Sequence, residues 1–236
     1  MSGSTSPPSP TARRALFGRP YWLLWALILV NAGVELVLLA ADYGLIGTPR
    51  WRAIAYYNGA FWVGLLHDWR PNYPGQPWVM FITHAFLHGG FWHMATNMFA
   101  LWSLGTLVIR QMGPRAFALI YFAAMIGGGI GFALLGDDTR PMVGASGAIF
   151  GLIGAWMYQD WHLRRHKGPA TLALLRTLFV FFLLNLALWV ALEGHLAWQT
   201  HLGGFVAGWG VAALLGRLRG SPGKSRRHSQ AGRPGA

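Results

Sequence analysis

Apolar residues in this chain fall into six long blocks, at about 21–42, 90–109, 115–135, 145–162, 171–192 and 198–216. Each approaches the roughly 20 residues that an α-helix needs to cross a bilayer, and none alternates as a barrel strand does. The pattern predicts an all-α integral membrane protein, a bundle of six transmembrane helices. The first block is too long for a signal peptide and has no clear cleavage site after it, so it reads as an anchor. Segment 43–89 mixes Pro, Gly, Arg and Trp and reads as a long loop. Trp51, Trp62 and Trp69 suit its first part to the membrane interface. Residues 1–19 are rich in Ser, Pro and Thr, and 218–236 are basic with Gly, Ser and Pro. Both read as disordered tails around a membrane domain at 20–217.

Composition agrees. The chain is 54% hydrophobic and 11% charged, with a mean hydropathy of +0.37; a soluble domain carries roughly 25% charged residues. The absence of cysteine excludes disulfides, thiol catalysis and zinc–thiolate sites. A net charge of +12 would suggest nucleic acid in a soluble protein. Here the basic residues sit in tails and between apolar blocks, which points to topology signals and anionic lipid, with no nucleic-acid partner. With both termini inside, Arg50, Arg52, Arg70 and Arg140 are the four external cations among 19 Lys and Arg; Arg176 lies early in the fifth block, and the other 14 are cytoplasmic. That bias orients the bundle.

Orientation then tests the chemistry. The second, fourth and sixth blocks all run from outside to inside. His93 and Asn97 lie early in the second, Ser146 starts the fourth, and His201 lies early in the sixth, so all four share a depth just below the outer surface. A buried membrane histidine is costly and usually functional. A serine hydroxyl needs a base, and histidine titrates near neutrality. Gly144, Gly147, Gly151 and Gly154 flank the serine, while Gly204 and Gly208 follow His201 at i+3 and i+7; small residues so spaced let helix backbones approach closely.

The same positions suggest the rest of an acyl-transfer site. His93 and Asn97, at i and i+4, share a helix face and are candidate oxyanion donors, with the Ser146 backbone N–H at a helix N-terminus as another. Phe150 lies one turn below Ser146 and is placed to stack on the imidazole. No carboxylate is evident as a third member, so a Ser146–His201 dyad is expected. Glu35, inside the first block, reads as helix packing or loop anchoring. His84, His88 and His93 lack a carboxylate or cysteine to complete a metal set, and no metal or cofactor is expected. Glycines 127–129 and 131 lie in an apolar block with no preceding strand, and read as packing.

Three motifs in this order resemble the rhomboid intramembrane serine proteases over roughly residues 75–210. Gly144-Ala145-Ser146-Gly147 is similar to the family's GxSG. His84, His88, His93 and Asn97 fit its second-helix pattern, and His201 with Gly204 and Gly208 its HxxGxxxG. The resemblance implies a six-helix rhomboid-like bundle that cleaves single-pass transmembrane proteins near their outer end. Ser146 would be the nucleophile and His201 the base, with the loop from Met142 through Gly144 and Ala145 holding an extended substrate. A bacterial inner membrane, with the site opening to the periplasm, is the expected location.

The chain departs from the family at three points. Phe150 is often Tyr there. Thr200 is commonly Ala, a change expected to loosen the sixth helix against the fourth. Val79-Met80 stands where Trp-Arg often occurs, so neither Arg52 nor Arg70 inherits a role. The rival readings are a non-proteolytic relative that binds transmembrane helices, and a small transporter relaying protons through the histidines and Glu35.

Overall fold

A computed structural model describes residues 19–136, 139–165, 171–179, 183 and 196–220. Residues 1–18 and 221–236 of the two tails, most of the fifth apolar block, and Asp137, Asp138 and Glu193 lie outside the described residues. The described chain is helical. Its α-helices are α1 (Trp22–Asp42), α2 (Arg50–Gly59), α3 (Gln76–Thr83), α4 (Phe91–Met112), α5 (Pro114–Leu135), α6 (Ser146–Arg164) and α7 (Trp198–Gly220). Residues 171–179 are also helical. Among the described residues the one β-type pairing is an isolated antiparallel bridge between Phe61 and Met142.

Helices α1, α4, α5, α6 and α7 coincide with five of the six apolar blocks. Two of them, α1 and α5, are long and apolar enough to cross a membrane. Their outward faces are apolar too: Leu29, Val30, Leu36 and Val37 on α1, and Leu119, Ile126, Ile130 and Leu134 on α5, are exposed, as suits a lipid-facing surface and not a water-facing one. Helix α4 passes to α5 through Gly113 alone. Its φ of +89° favours glycine, and Pro114 at the first helical position starts α5 without forfeiting a hydrogen bond.

Helix α7 packs along both α5 and α6, and α1 packs on α4. The central core includes Leu24, Leu101, Phe117, Ile120, Tyr121 and Leu152. The α6–α7 seam depends on glycine. A Cβ on Gly204 would overlap the Gly147 carbonyl, and one on Gly208 would overlap the Gly151 carbonyl. Thr200 does not loosen this seam. Its side chain fits between Gly128 of α5 and Gly147 of α6, which together leave room for it.

The segment read as a long loop contains α2, α3 and two short 3-10 helices, Val63–Leu66 and His84–Phe86. Helices of eight or ten residues are marginal alone, and here tertiary anchors hold them. Arg52 of α2 forms a part-buried two-point ion pair with the buried Glu35 of α1, with N–O distances of 2.9 and 3.1 Å, and a 2.7 Å pair with Asp42. Burial opposes the charge on Arg52, but its bonds to Glu35 and Asp42 outweigh that and raise its pKa. Glu35 therefore anchors the loop. Gln76, fully buried, ties α3 to the Tyr57 carbonyl and the Asn72 amide.

Candidate active site

The sequence from Met142 to Ser146 sets the site's geometry. Phe61 and Met142 exchange two backbone hydrogen bonds of 2.9 Å, and the Gly144 N–H donates to the His84 carbonyl at 2.9 Å. The approach to α6 is thus pinned to the loop and to the segment before α4. Gly144 takes φ +124°, a conformation that side-chain-bearing residues rarely adopt. The turn delivers Ser146 to the first position of α6, where backbone N–H groups lack intrahelical partners.

Across the α6–α7 seam, Ser146 Oγ lies 2.9 Å from His201 Nε2. That is hydrogen-bond distance, with the hydroxyl donating when Nε2 carries no proton. The Phe150 ring stacks on the His201 imidazole, with centroids 4.1 Å apart and planes within 4°. His201 is buried, whereas Ser146 and Phe150 keep partial exposure. The glycine contacts that bring α6 against α7 also bring these side chains together.

His93 stands opposite. The Gly89 N–H donates to its Nδ1 at 3.1 Å, so the proton of the neutral ring resides on Nε2. Nε2 faces the space that glycine leaves open at position 144. The point a Gly144 Cβ would occupy is 2.9 Å from His93 Nε2 and 3.8 Å from Ser146 Oγ. Asn97 is also nearby on α4, but its Nδ2 donates to its own helix at the His93 carbonyl, at 2.8 Å, and its buried Oδ1 has no partner. Of its two donor hydrogens, the second Nδ2 hydrogen remains for a ligand.

His84 and His88 precede this group. His84 Nδ1 donates to the Met80 carbonyl at 2.7 Å, and burial pushes its pKa down to about 4. His88 is fully buried with its ring edge-on to His93, centroids 5.1 Å apart, and burial together with His93 lowers its pKa to about 3. Both are neutral at physiological pH. Sequence reasoning gave Arg52 and Tyr56 no role, yet both donate to the His88 carbonyl, at 2.9 and 2.7 Å. The available signal was Glu35: a carboxylate within an apolar span needs a cation, and Arg50 and Arg52 are the first cations after α1.

These elements define a helical membrane-type protein with a serine–histidine pair at one end of the bundle. Residues 74–218 match the family model described as Rhomboid domain, and the chain belongs to the rhomboid family. It is accordingly an integral membrane protein. It is 38% identical over 143 residues to Rhomboid protease GluP of Bacillus subtilis, covering 59% of this chain and 26% of that protein. It is 30% identical over 209 residues to Rhomboid protein 1, mitochondrial, of Saccharomyces cerevisiae, covering 86% of this chain and 51% of that protein. It is also 36% identical over 101 residues to Inactive RHOMBOID-like protein 8 of Arabidopsis thaliana, covering 42% of this chain and 28% of that protein. The chain thus spans between about a quarter and a half of the length of these relatives.

Proposed function

We propose that this protein is an intramembrane serine endopeptidase that cleaves single-pass transmembrane proteins near their outer membrane boundary. The 2.9 Å contact between Ser146 Oγ and His201 Nε2 carries the reading. Its topology is six spans with both termini cytoplasmic and the site opening outward, to the periplasm of a bacterial cell, as the distribution of Lys and Arg favours.

A substrate helix unwinds locally and lies extended along Met142–Ala145. Ser146 Oγ attacks the scissile carbonyl while His201 Nε2 takes its proton. The developing oxyanion sits in the space beside Gly144, where His93 Nε2–H and the Ser146 backbone N–H converge, with the second Asn97 amide hydrogen completing the set. The stacked Phe150 holds the imidazole plane, as a carboxylate does in a triad. The imidazolium then protonates the leaving amine, and water admitted from the outer surface releases the acyl group.

The test is cleavage of labelled single-pass substrates in liposomes by wild type, Ser146→Ala and His201→Ala, with a fluorophosphonate probe in parallel. Cleavage and labelling lost in both variants support the dyad. Wild type that neither cuts nor labels overturns it and favours the non-proteolytic, helix-binding reading, to which the inactive relative lends weight.

A further inference from the structure

The His88–Gly89 peptide links the loop helix α2 to His93. Its carbonyl oxygen accepts from Arg52 Nη1 at 2.9 Å and from the Tyr56 hydroxyl at 2.7 Å. Its N–H, which belongs to Gly89, donates to His93 Nδ1 at 3.1 Å. A trans peptide is a rigid plane with oxygen and hydrogen pointing opposite ways. Pinning the oxygen toward α2 therefore aims the hydrogen at His93. The plane needs pinning, because Gly89 is followed by Gly90 at φ +117° and glycine rotates freely. Arg52 is itself held by the buried Glu35 of α1.

We infer that Glu35, Arg52 and Tyr56 are positioning residues: they lock the His88–Gly89 peptide, which fixes His93 in the Nε2–H tautomer facing the oxyanion space. This rests on the reading of His93 as an oxyanion donor. It gives the loop helix α2 a role in the chemical step beyond covering the bundle. A charged donor on the carbonyl also polarises the amide and strengthens the bond its N–H makes, since hydrogen bonds in a chain reinforce one another. With the lock removed, the peptide rotates, Nδ1 loses its donor, and His93 is free to carry its proton on the side away from the substrate.

The experiment compares full-length wild type with Tyr56→Phe, with the pair Glu35→Leu/Arg52→Met, and with the triple variant. The paired change removes the buried Glu35 carboxylate together with its cation and leaves only the partly exposed Asp42 without a partner, which proteins tolerate far better than loss of one partner of a buried pair. Two readouts are taken in micelles: steady-state cleavage, and the ring 15N resonances of [15N]histidine-labelled protein, with His93→Asn identifying the His93 signals. Wild type is expected to show one His93 tautomer, protonated at Nε2. Loss of an oxyanion donor costs roughly 100- to 1,000-fold in kcat. Misdirecting one should cost less: about 3-fold for Tyr56→Phe and about 30-fold for the triple variant, with KM changed less than about 2-fold and a mixed tautomer signal.

A folded triple variant that keeps one Nε2–H tautomer and wild-type kcat overturns the inference. If the triple variant does not fold, an unchanged kcat and tautomer in Tyr56→Phe does so alone. Failure of the protease reading is seen separately, as wild type that neither cleaves substrate nor labels at Ser146, because the tautomer is read without turnover.

Discussion

Thr200 provides the sharpest quantitative check on the packing that assembles the site. It precedes His201, and its hydroxyl is buried with no hydrogen-bond partner. A Cβ added at Gly147 would meet Thr200 Oγ1 at 2.8 Å, while its next contacts, the Thr200 carbonyl oxygen and Gly128 Cα, lie at 3.4 and 3.5 Å. One atom therefore forbids alanine at 147. Threonine is stiff at χ1, so that atom cannot swing away cheaply. Gly147→Ala should cost about 1–3 kcal/mol as an overpacked contact. In a Thr200→Ala background the offending atom is gone, the remaining contacts are ordinary, and the same substitution should cost less than about 0.5 kcal/mol. The coupling energy is then about 0.5–3 kcal/mol. Catalysis should follow, because Gly147 adjoins Ser146 and a wedge there widens the 2.9 Å contact with His201. Gly147→Ala should lose about 10- to 100-fold in kcat, from misplacement of the reacting groups. The double variant should recover most of it. Reversible unfolding in mixed micelles and cleavage of one substrate by all four proteins complete the cycle. Additive energies, with coupling under about 0.5 kcal/mol, would refute the single-atom account of this seam.

Three other outcomes are expected. Thr200→Val keeps the shape but removes the unpartnered hydroxyl, and should raise stability by about 1 kcal/mol in the same unfolding assay; a loss of that size would mean the hydroxyl is satisfied. Gly144→Ala strains a φ of +124° and puts a methyl 2.9 Å from His93 Nε2, so cleavage should vanish while the unfolding midpoint moves modestly; near-normal turnover would remove the oxyanion site from this position. His84 and His88 have folded-state pKa values of about 4 and about 3, below the ordinary 6.5. Because the unfolded chain binds protons first, their stabilisation is complete above pH 6.5 and is lost on acidification toward pH 4 and pH 3. Between pH 7 and pH 5 each should contribute a loss of ~2 kcal/mol, and His84→Gln should remove one such share of the slope.

The parts of this molecule legible in its sequence are those governed by one helix at a time. Apolar blocks long enough to span a bilayer located α1, α4, α5, α6 and α7 within a few residues, because lipid forces each to satisfy its own backbone. The contact between Ser146 and His201 was legible for a related reason: glycine at 147, 151, 204 and 208 left few seams where two backbones could approach so closely. What the sequence hid was held by long-range polar contacts. Helix α2 carries no strong amphipathic pattern and is fixed by Arg52, whose partners Glu35, Asp42 and the His88 carbonyl lie 17, 10 and 36 residues away. The position of Arg52, well before the place where related chains carry Trp-Arg, made it look uninvolved. Glu35 was the clue, since an ionised carboxylate in an apolar helix requires a partner wherever the chain can supply one. Thr200 misled in the opposite direction. A larger residue where alanine is common suggests a looser seam, but Gly128 and Gly147 face it from two other helices. The cost falls on its unpartnered hydroxyl, and the seam stays closed. For an intramembrane site of this kind, spacing along one helix locates candidate groups, and each buried polar atom must then be matched to a partner before a role is assigned.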